Sequence, residues 1–94
     1  MATCDLKLTG GTVHTPGGPV QADVAVSGGR IVAIGPDLTA DTTLDASGAY
    51  VMPGGIDTHT HMQLPFGGTF ASDTFETGTR AAAWGGTTTI VDFA

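Results

Sequence analysis

Asp57, His59 and His61 alternate along the run Asp57-Thr58-His59-Thr60-His61, which directly follows Pro53-Gly54-Gly55-Ile56. In an extended strand alternate side chains leave the same face, so this run sends two imidazoles and a carboxylate in one direction. Neutral imidazole is a good ligand for zinc and neighbouring divalent metals, and carboxylate oxygen can join such a set. A His-x-His pair at strand spacing is therefore half of a metal site. The same residues also read as hydrogen-bonded strand histidines, and the run alone does not separate the two. Asp57 fits equally well as a carboxylate that orients an imidazole and as a purely structural residue.

The elements that must position this run follow from periodicity and from glycine. Ile56 to His61 fits a strand, and Met62 to Ala71 is a loop containing Gly and Pro. Asp73 with Glu76 three residues on has the form of a capping box. Phe75, Thr79 and Ala82 recur at helical spacing, and Ala81, Ala82 and Ala83 raise helix propensity. Gly85-Gly86 stops the helix. Thr87 to Phe93 is rich in β-branched residues and reads as a buried strand, with Trp84 packed just before the helix stop. Strand, loop, helix and strand make a βαβ unit and imply a parallel sheet, hence an α/β class.

Pro53-Gly54-Gly55 marks a domain junction, giving residues 1–53 and 54–94 as separate pieces. Before it, Cys4, Leu6 and Leu8 alternate as a strand, Gly10-Gly11 breaks the chain, and Thr12 to His14 is a brief second strand. Val20, Ala22, Val24 and Val26 alternate with more polar neighbours as one half-buried strand. Gly28-Gly29 supplies the turn of a hairpin whose second strand runs from Arg30 to Gly35. Thr43 to Asp45 and Tyr50 to Met52 are short strands around Ala46-Ser47-Gly48.

Composition narrows the function. Nine acidic residues against Lys7, Arg30 and Arg80 give a formal charge of −6. So few basic side chains leave no patch to hold a phosphate backbone or an anionic membrane, which argues against nucleic-acid and membrane-surface binding. Cys4 is the only cysteine, so neither an internal disulfide nor a thiolate cluster is available. It alternates with Leu6 and Leu8 as a strand residue. The N-terminus lacks signal-peptide features, and no apolar run approaches the roughly 20 residues that span a bilayer. The expectation is a soluble cytoplasmic protein. One βαβ unit cannot cover both faces of a parallel sheet, and a complete α/β barrel takes about 250 residues. The 94 residues are thus expected to be the N-terminal piece of a longer protein and to fold poorly alone.

Gly54-Gly55-Ile56-Asp57-Thr58-His59-Thr60-His61 resembles the amidohydrolase superfamily. The loop Met62-Gln63-Leu64-Pro65-Phe66-Gly67-Gly68-Thr69, the stretch Phe75-Glu76-Thr77-Gly78-Thr79-Arg80 and the strand Gly85-Gly86-Thr87-Thr88-Thr89-Ile90-Val91-Asp92-Phe93-Ala94 are more specific. They are similar to the N-terminal end of the dihydropyrimidinase family, which includes the D-hydantoinases. The resemblance is strongest over residues 53–94. It implies a (β/α)8 barrel whose first unit is residues 54–94, preceded by a β-sandwich segment over residues 1–53. It also implies a zinc-dependent hydrolase that opens dihydropyrimidines or 5-substituted hydantoins, in pyrimidine catabolism, to N-carbamoyl amino acids.

In that family His59 and His61 would bind the more buried of two zinc ions, which share a hydroxide nucleophile. The lysine that bridges the metals in carboxylated form, two further histidines, a catalytic aspartate and an oxyanion tyrosine would all lie beyond residue 94. No catalytic residue is therefore expected within this chain, which alone should be inactive. Leu64 and Phe66 stand where the family shapes its pocket for the substrate side chain, or simply pack the loop. Gln63 stands where bacterial hydantoinases often carry an acid and leans the loop toward the dihydropyrimidinase form. The implied partner is a small cyclic amide, and the implied assembly a homotetramer. Related alternatives are an allantoinase or dihydroorotase, whose polar substrates suit Leu64 and Phe66 less well, and a non-catalytic scaffold, which the retained histidines disfavour. His14 reads as a surface residue, and Asp92, at a strand end, as a structural hydrogen-bond partner.

Overall fold

Short alternating apolar runs separated by glycine give the first half of the chain β1 (Cys4–Thr9), β2 (Thr12–Thr15), β3 (Gly18–Gln21), β4 (Asp23–Ser27), β5 (Arg30–Gly35), β6 (Ala40–Asp45) and β7 (Tyr50–Val51). The structure is a computed structural model and describes residues 3–63, 65, 66 and 68–93. The chain divides into two units, Met1–Pro53 and Gly54–Ala94. In the first, one sheet has the order β5-β4-β1-β6 and a second the order β3-β2-β7. β1 pairs antiparallel with β4, placing Leu6 opposite Val26 and Leu8 opposite Val24, and parallel with β6.

The two sheets are linked through a pair of crossing segments. β1–β2 and β6–β7 run side by side, each leaving one sheet for the other, at Gly10-Gly11 and at Ala46 to Ala49. The Ala46 amide donates to Thr9 O at 2.7 Å and the Thr12 amide to Ala49 O at 3.0 Å, so the crossing keeps its hydrogen bonds. A side chain at Gly11 would come within 2.7 Å of Val51 Cγ2 and 3.1 Å of Ala46 Cβ. Glycine is what allows the two segments to approach. Val13, Val24 and Ala25 are the buried apolar residues among those described. At the edge of this core Asp23 accepts hydrogen bonds from Thr9 Oγ1 at 2.7 Å and from the Leu38 amide at 3.3 Å. Lys7 Nζ, 3.8 Å from the same carboxylate, donates to Leu38 O at 2.8 Å. Together they moor the segment leading into β6.

The hairpin turn expected at Gly28-Gly29 is present, with φ of 59° and 76°, the left-handed pair a tight two-residue turn demands. The single strand expected from Val20 onward is instead two. β3 pairs with β2, and after Ala22 the chain enters the other sheet as β4, between β1 and β5. Both halves keep a period of two, so alternation alone cannot reveal the change of sheet.

The second unit contains β8 (Gly55–Thr60), β9 (Pro65–Phe66), β10 (Thr69–Phe70), α1 (Phe75–Trp84) and β11 (Thr87–Asp92). β8 and β11 are parallel neighbours joined through α1, as the βαβ reading requires. Within the expected loop, β9 and β10 form a small antiparallel pair. The helix cap also differs from expectation. Thr74, not Asp73, is the N-cap: its hydroxyl accepts from the Thr77 amide at 3.1 Å, and Thr77 Oγ1 accepts from the Thr74 amide at 3.0 Å. A threonine at the third helical position closes the box in place of Glu76, which instead pairs with Arg80 one turn on, at 2.9 Å. The helix ends at Gly85, and Gly86 takes a φ of 85°. β11 is more exposed than a buried strand should be, because β8 is its one sheet neighbour among the described residues. Trp84, expected to pack, points to solvent.

Candidate metal centre

His59 lies near the end of β8 and His61 just beyond it, where the strand gives way to the loop. The strand delivers both rings to one place: the two Nε2 atoms are 3.0 Å apart, with ring planes at 68°. Two metal–nitrogen bonds of about 2.0–2.1 Å, opening between a right angle and the tetrahedral angle, have ends about 2.8–3.4 Å apart. The observed separation falls in that span, so one divalent ion can engage both nitrogens. Without an ion, one ring can donate its N–H to the other at the same distance. The first use needs both Nε2 lone pairs free, which fixes the tautomers with their protons on Nδ1.

Asp57 does not join the rings. Its Oδ1 accepts from the His59 amide at 3.1 Å, a contact with the backbone two residues ahead that steadies the strand without touching an imidazole. Among the described residues no third His, Cys, Asp or Glu stands close enough to complete a ligand set. His14 lies in β2, exposed, with its ring edge-on to Tyr50 at 5.1 Å.

The end of β11 supplies what surrounds the pair. The Phe93 ring stacks on His61 at 4.8 Å between centroids and 13° between planes, and leans on His59 at 4.6 Å and 58°. Asp92 Oδ1 accepts from Thr60 Oγ1 at 2.7 Å and from the Met62 amide at 2.9 Å. The Thr60 hydroxyl and, after it, the Met62 amide hold the Asp92 carboxyl below the usual carboxylate range, against a smaller opposing effect of burial. The sequence alone assigns Phe93 and Thr60 no role at the site. The one signal for them is register: a parallel pairing that sets Asp92 beside Thr60 carries Phe93 past the histidines.

The loop after His61 is tied to the helix. Gln63 holds a left-handed φ of 54°, its amide donates to Asp73 O at 2.9 Å, and its Oε1 accepts from the Phe75 amide at 2.7 Å. That last bond occupies one of the free amides at the start of α1. Gly78, buried on α1, faces Met62: a Cβ there would meet the Met62 sulfur at 2.6 Å. The helix therefore rests directly on the residue after His61. Leu64 lies outside the described residues, and for Phe66 the description extends to its backbone, in β9.

Residues 50–94 match the sequence profile of the Amidohydrolase family. The chain is 57% identical over 94 residues to a D-hydantoinase of Streptomyces coelicolor, an alignment covering 93% of this chain and 20% of that protein. It is 50% identical over 96 residues to the dihydropyrimidinase of Rattus norvegicus, covering 95% of this chain and 18% of the relative. The crystal structure of a D-hydantoinase from Bacillus sp. AR9 superposes with a TM-score of 0.89 at 57% identity, over 95% of this chain and 20% of that one. The chain thus spans about a fifth of the length of the relatives it matches.

Proposed function

Because the chain belongs to the dihydropyrimidinase and D-hydantoinase family of the amidohydrolases, we propose that it forms part of a zinc-dependent cyclic amidohydrolase. The substrates are dihydropyrimidines or 5-substituted hydantoins, opened to N-carbamoyl amino acids. The observation that carries this reading is the 3.0 Å approach of His59 Nε2 to His61 Nε2 at the end of β8. In this reading β8, α1 and β11 begin a (β/α)8 barrel, and residues 1–53 belong to a β-sandwich. Catalytic groups in such barrels gather at the C-terminal ends of the strands, which is where the histidines lie.

His59 and His61 hold one metal through Nε2. The remaining ligands, a carboxylated lysine among them, come from outside these 94 residues. Zinc bound there supplies Lewis acidity toward the substrate carbonyl and an activated water near neutral pH. Phe93 keeps both imidazole planes in place, and Asp57 steadies the backbone that carries His59. Leu64 and Phe66 are the residues of this chain that would meet the substrate side chain. In the overall reaction the ring C–N bond breaks, water oxygen goes to the carbonyl carbon and a proton to the nitrogen. The complete enzyme is a cytoplasmic homotetramer in this reading. Among the described residues no helix is long and apolar enough to cross a membrane.

Turnover by the full-length protein tests the substrate class, with dihydrouracil, phenylhydantoin, allantoin and dihydroorotate compared side by side. Dihydrouracil or phenylhydantoin should be the best substrate. Allantoin as the one good substrate would overturn the assignment.

A further inference from the structure

We infer that Asp92 is a positioning residue for His61: its carboxylate grips the chain on both sides of that histidine and so sets where the His61 imidazole meets that of His59. The two donors to Asp92 Oδ1 are Thr60 Oγ1, at 2.7 Å, and the Met62 amide, at 2.9 Å. They belong to the residues immediately before and after His61. β8 ends at Thr60, so Met62 has left the strand pairing. A carboxylate on the neighbouring strand replaces the missing partner for its amide and extends the hold on the chain by two residues. Swinging the His61 backbone, and with it the ring, would break one of these bonds.

The register makes this reach possible. Asp92 stands beside Thr60 after an irregularity between Ile90 and Asp92, the kind of local shift that re-aims a side chain. The next residue completes the support, because the Phe93 amide donates to Thr60 O at 3.3 Å while its ring stacks on His61. Asp92 fixes the backbone and Phe93 the plane. Neither recorded contact of Oδ1 involves an imidazole nitrogen, so Asp92 acts through its neighbours and not as a ligand. Direct hydrogen-bond partners of a ligand change metal affinity by about 10–100-fold when removed, and a carboxylate acting one residue away belongs toward the lower end of that range.

This inference rests on the metal-site reading, and the test separates the two. Zinc affinity of the full-length protein is measured by competition with a chromophoric chelator. Unfolding of the metal-stripped protein is followed alongside. Asp92→Ala should weaken zinc by about 10-fold, whereas Asp92→Asn, whose carbonyl oxygen accepts the same two hydrogen bonds, should restore most of the affinity. If Asp92→Ala does not fold, Thr60→Val removes one of the two donors and should weaken zinc in the same direction. Asp92→Ala with parental zinc affinity but a lowered unfolding temperature would make Asp92 a mere strand fastener and overturn the inference. Asp92→Asn as weak as Asp92→Ala would also overturn it. His61→Ala with undiminished affinity would instead sink the metal-site reading itself.

Discussion

Gly54→Ala tests whether β8 and β11 meet as closely as described. A Cβ at residue 54 would lie 2.7 Å from Thr88 Cβ, and nearer still to its Oγ1 and Cγ2. Carbon pairs rest at about 3.5–4.0 Å, so the overlap approaches 1 Å. Threonine carries two heavy atoms on Cβ, and turning χ1 exchanges them without moving Cβ. Relief therefore has to come from the backbone. That backbone is pinned by the Gly55 amide, which donates to Gly86 O at 2.8 Å. Overpacking of this kind costs about 1–3 kcal/mol, and the rigid neighbour places it toward the upper end. The alanine also restricts the unfolded chain, which stabilises by about 0.4–1 kcal/mol. The net expectation is a loss of about 2 kcal/mol, read from denaturant unfolding of the full-length protein. Thr88→Ala removes the two nearest atoms, so the double variant should show a favourable coupling of about 1 kcal/mol. A Gly54→Ala protein as stable as its parent would refute the close approach and the strand alignment built on it.

Other consequences are simpler to state. Thr74→Ala removes the hydroxyl that caps α1 and should cost about 1 kcal/mol, whereas Asp73→Ala should cost less; equal losses would contradict the assigned cap. Asp45 is held below the usual carboxylate range, first by the Ser47 side chain and then by the Ser47 amide. A depressed carboxylate stabilises above its unfolded pKa of about 3.9 and loses that contribution as pH falls through the lower folded value. The unfolding-temperature gap between parent and Asp45→Asn should therefore narrow as pH falls below the unfolded pKa of about 3.9; a gap that widens there would reverse the sign. The isolated 94-residue polypeptide should show neither metal-dependent turnover nor a cooperative thermal transition, since Ile31, Ile56, Val91 and Phe93 are all exposed within it. Either behaviour in the monomeric chain would contradict this.

How much of this was legible in the sequence depended on distance along the chain. The His59–His61 pair is local, and strand alternation is enough to aim two side chains together. The helix was equally readable, because its alanines and its terminal glycines act within a few residues. What escaped was long-range or chemically degenerate. Asp92 was readable as a structural hydrogen-bond partner at a strand end, but its donors were not, because they lie 30 and 32 residues away. Thr74 and Thr77 cap the helix as well as an acid and Glu76 would, and the sequence offers both sets. β3 and β4 share one alternating pattern, so their division between sheets depends on pairing partners, not on periodicity. Asp57 shares a strand face with the histidines in principle, yet its short side chain finds its own backbone first.

The most direct test of the central claim is the metal content of the full-length protein. Parent, His59→Ala and His61→Ala proteins would be loaded with zinc, passed through gel filtration and analysed for bound metal per chain. Stoichiometric zinc in the parent and a loss in each variant, with the folded protein retained, is the predicted result. Parental zinc content in both variants would mean that the 3.0 Å pair at the end of β8 is a hydrogen bond between strand histidines and not a metal centre.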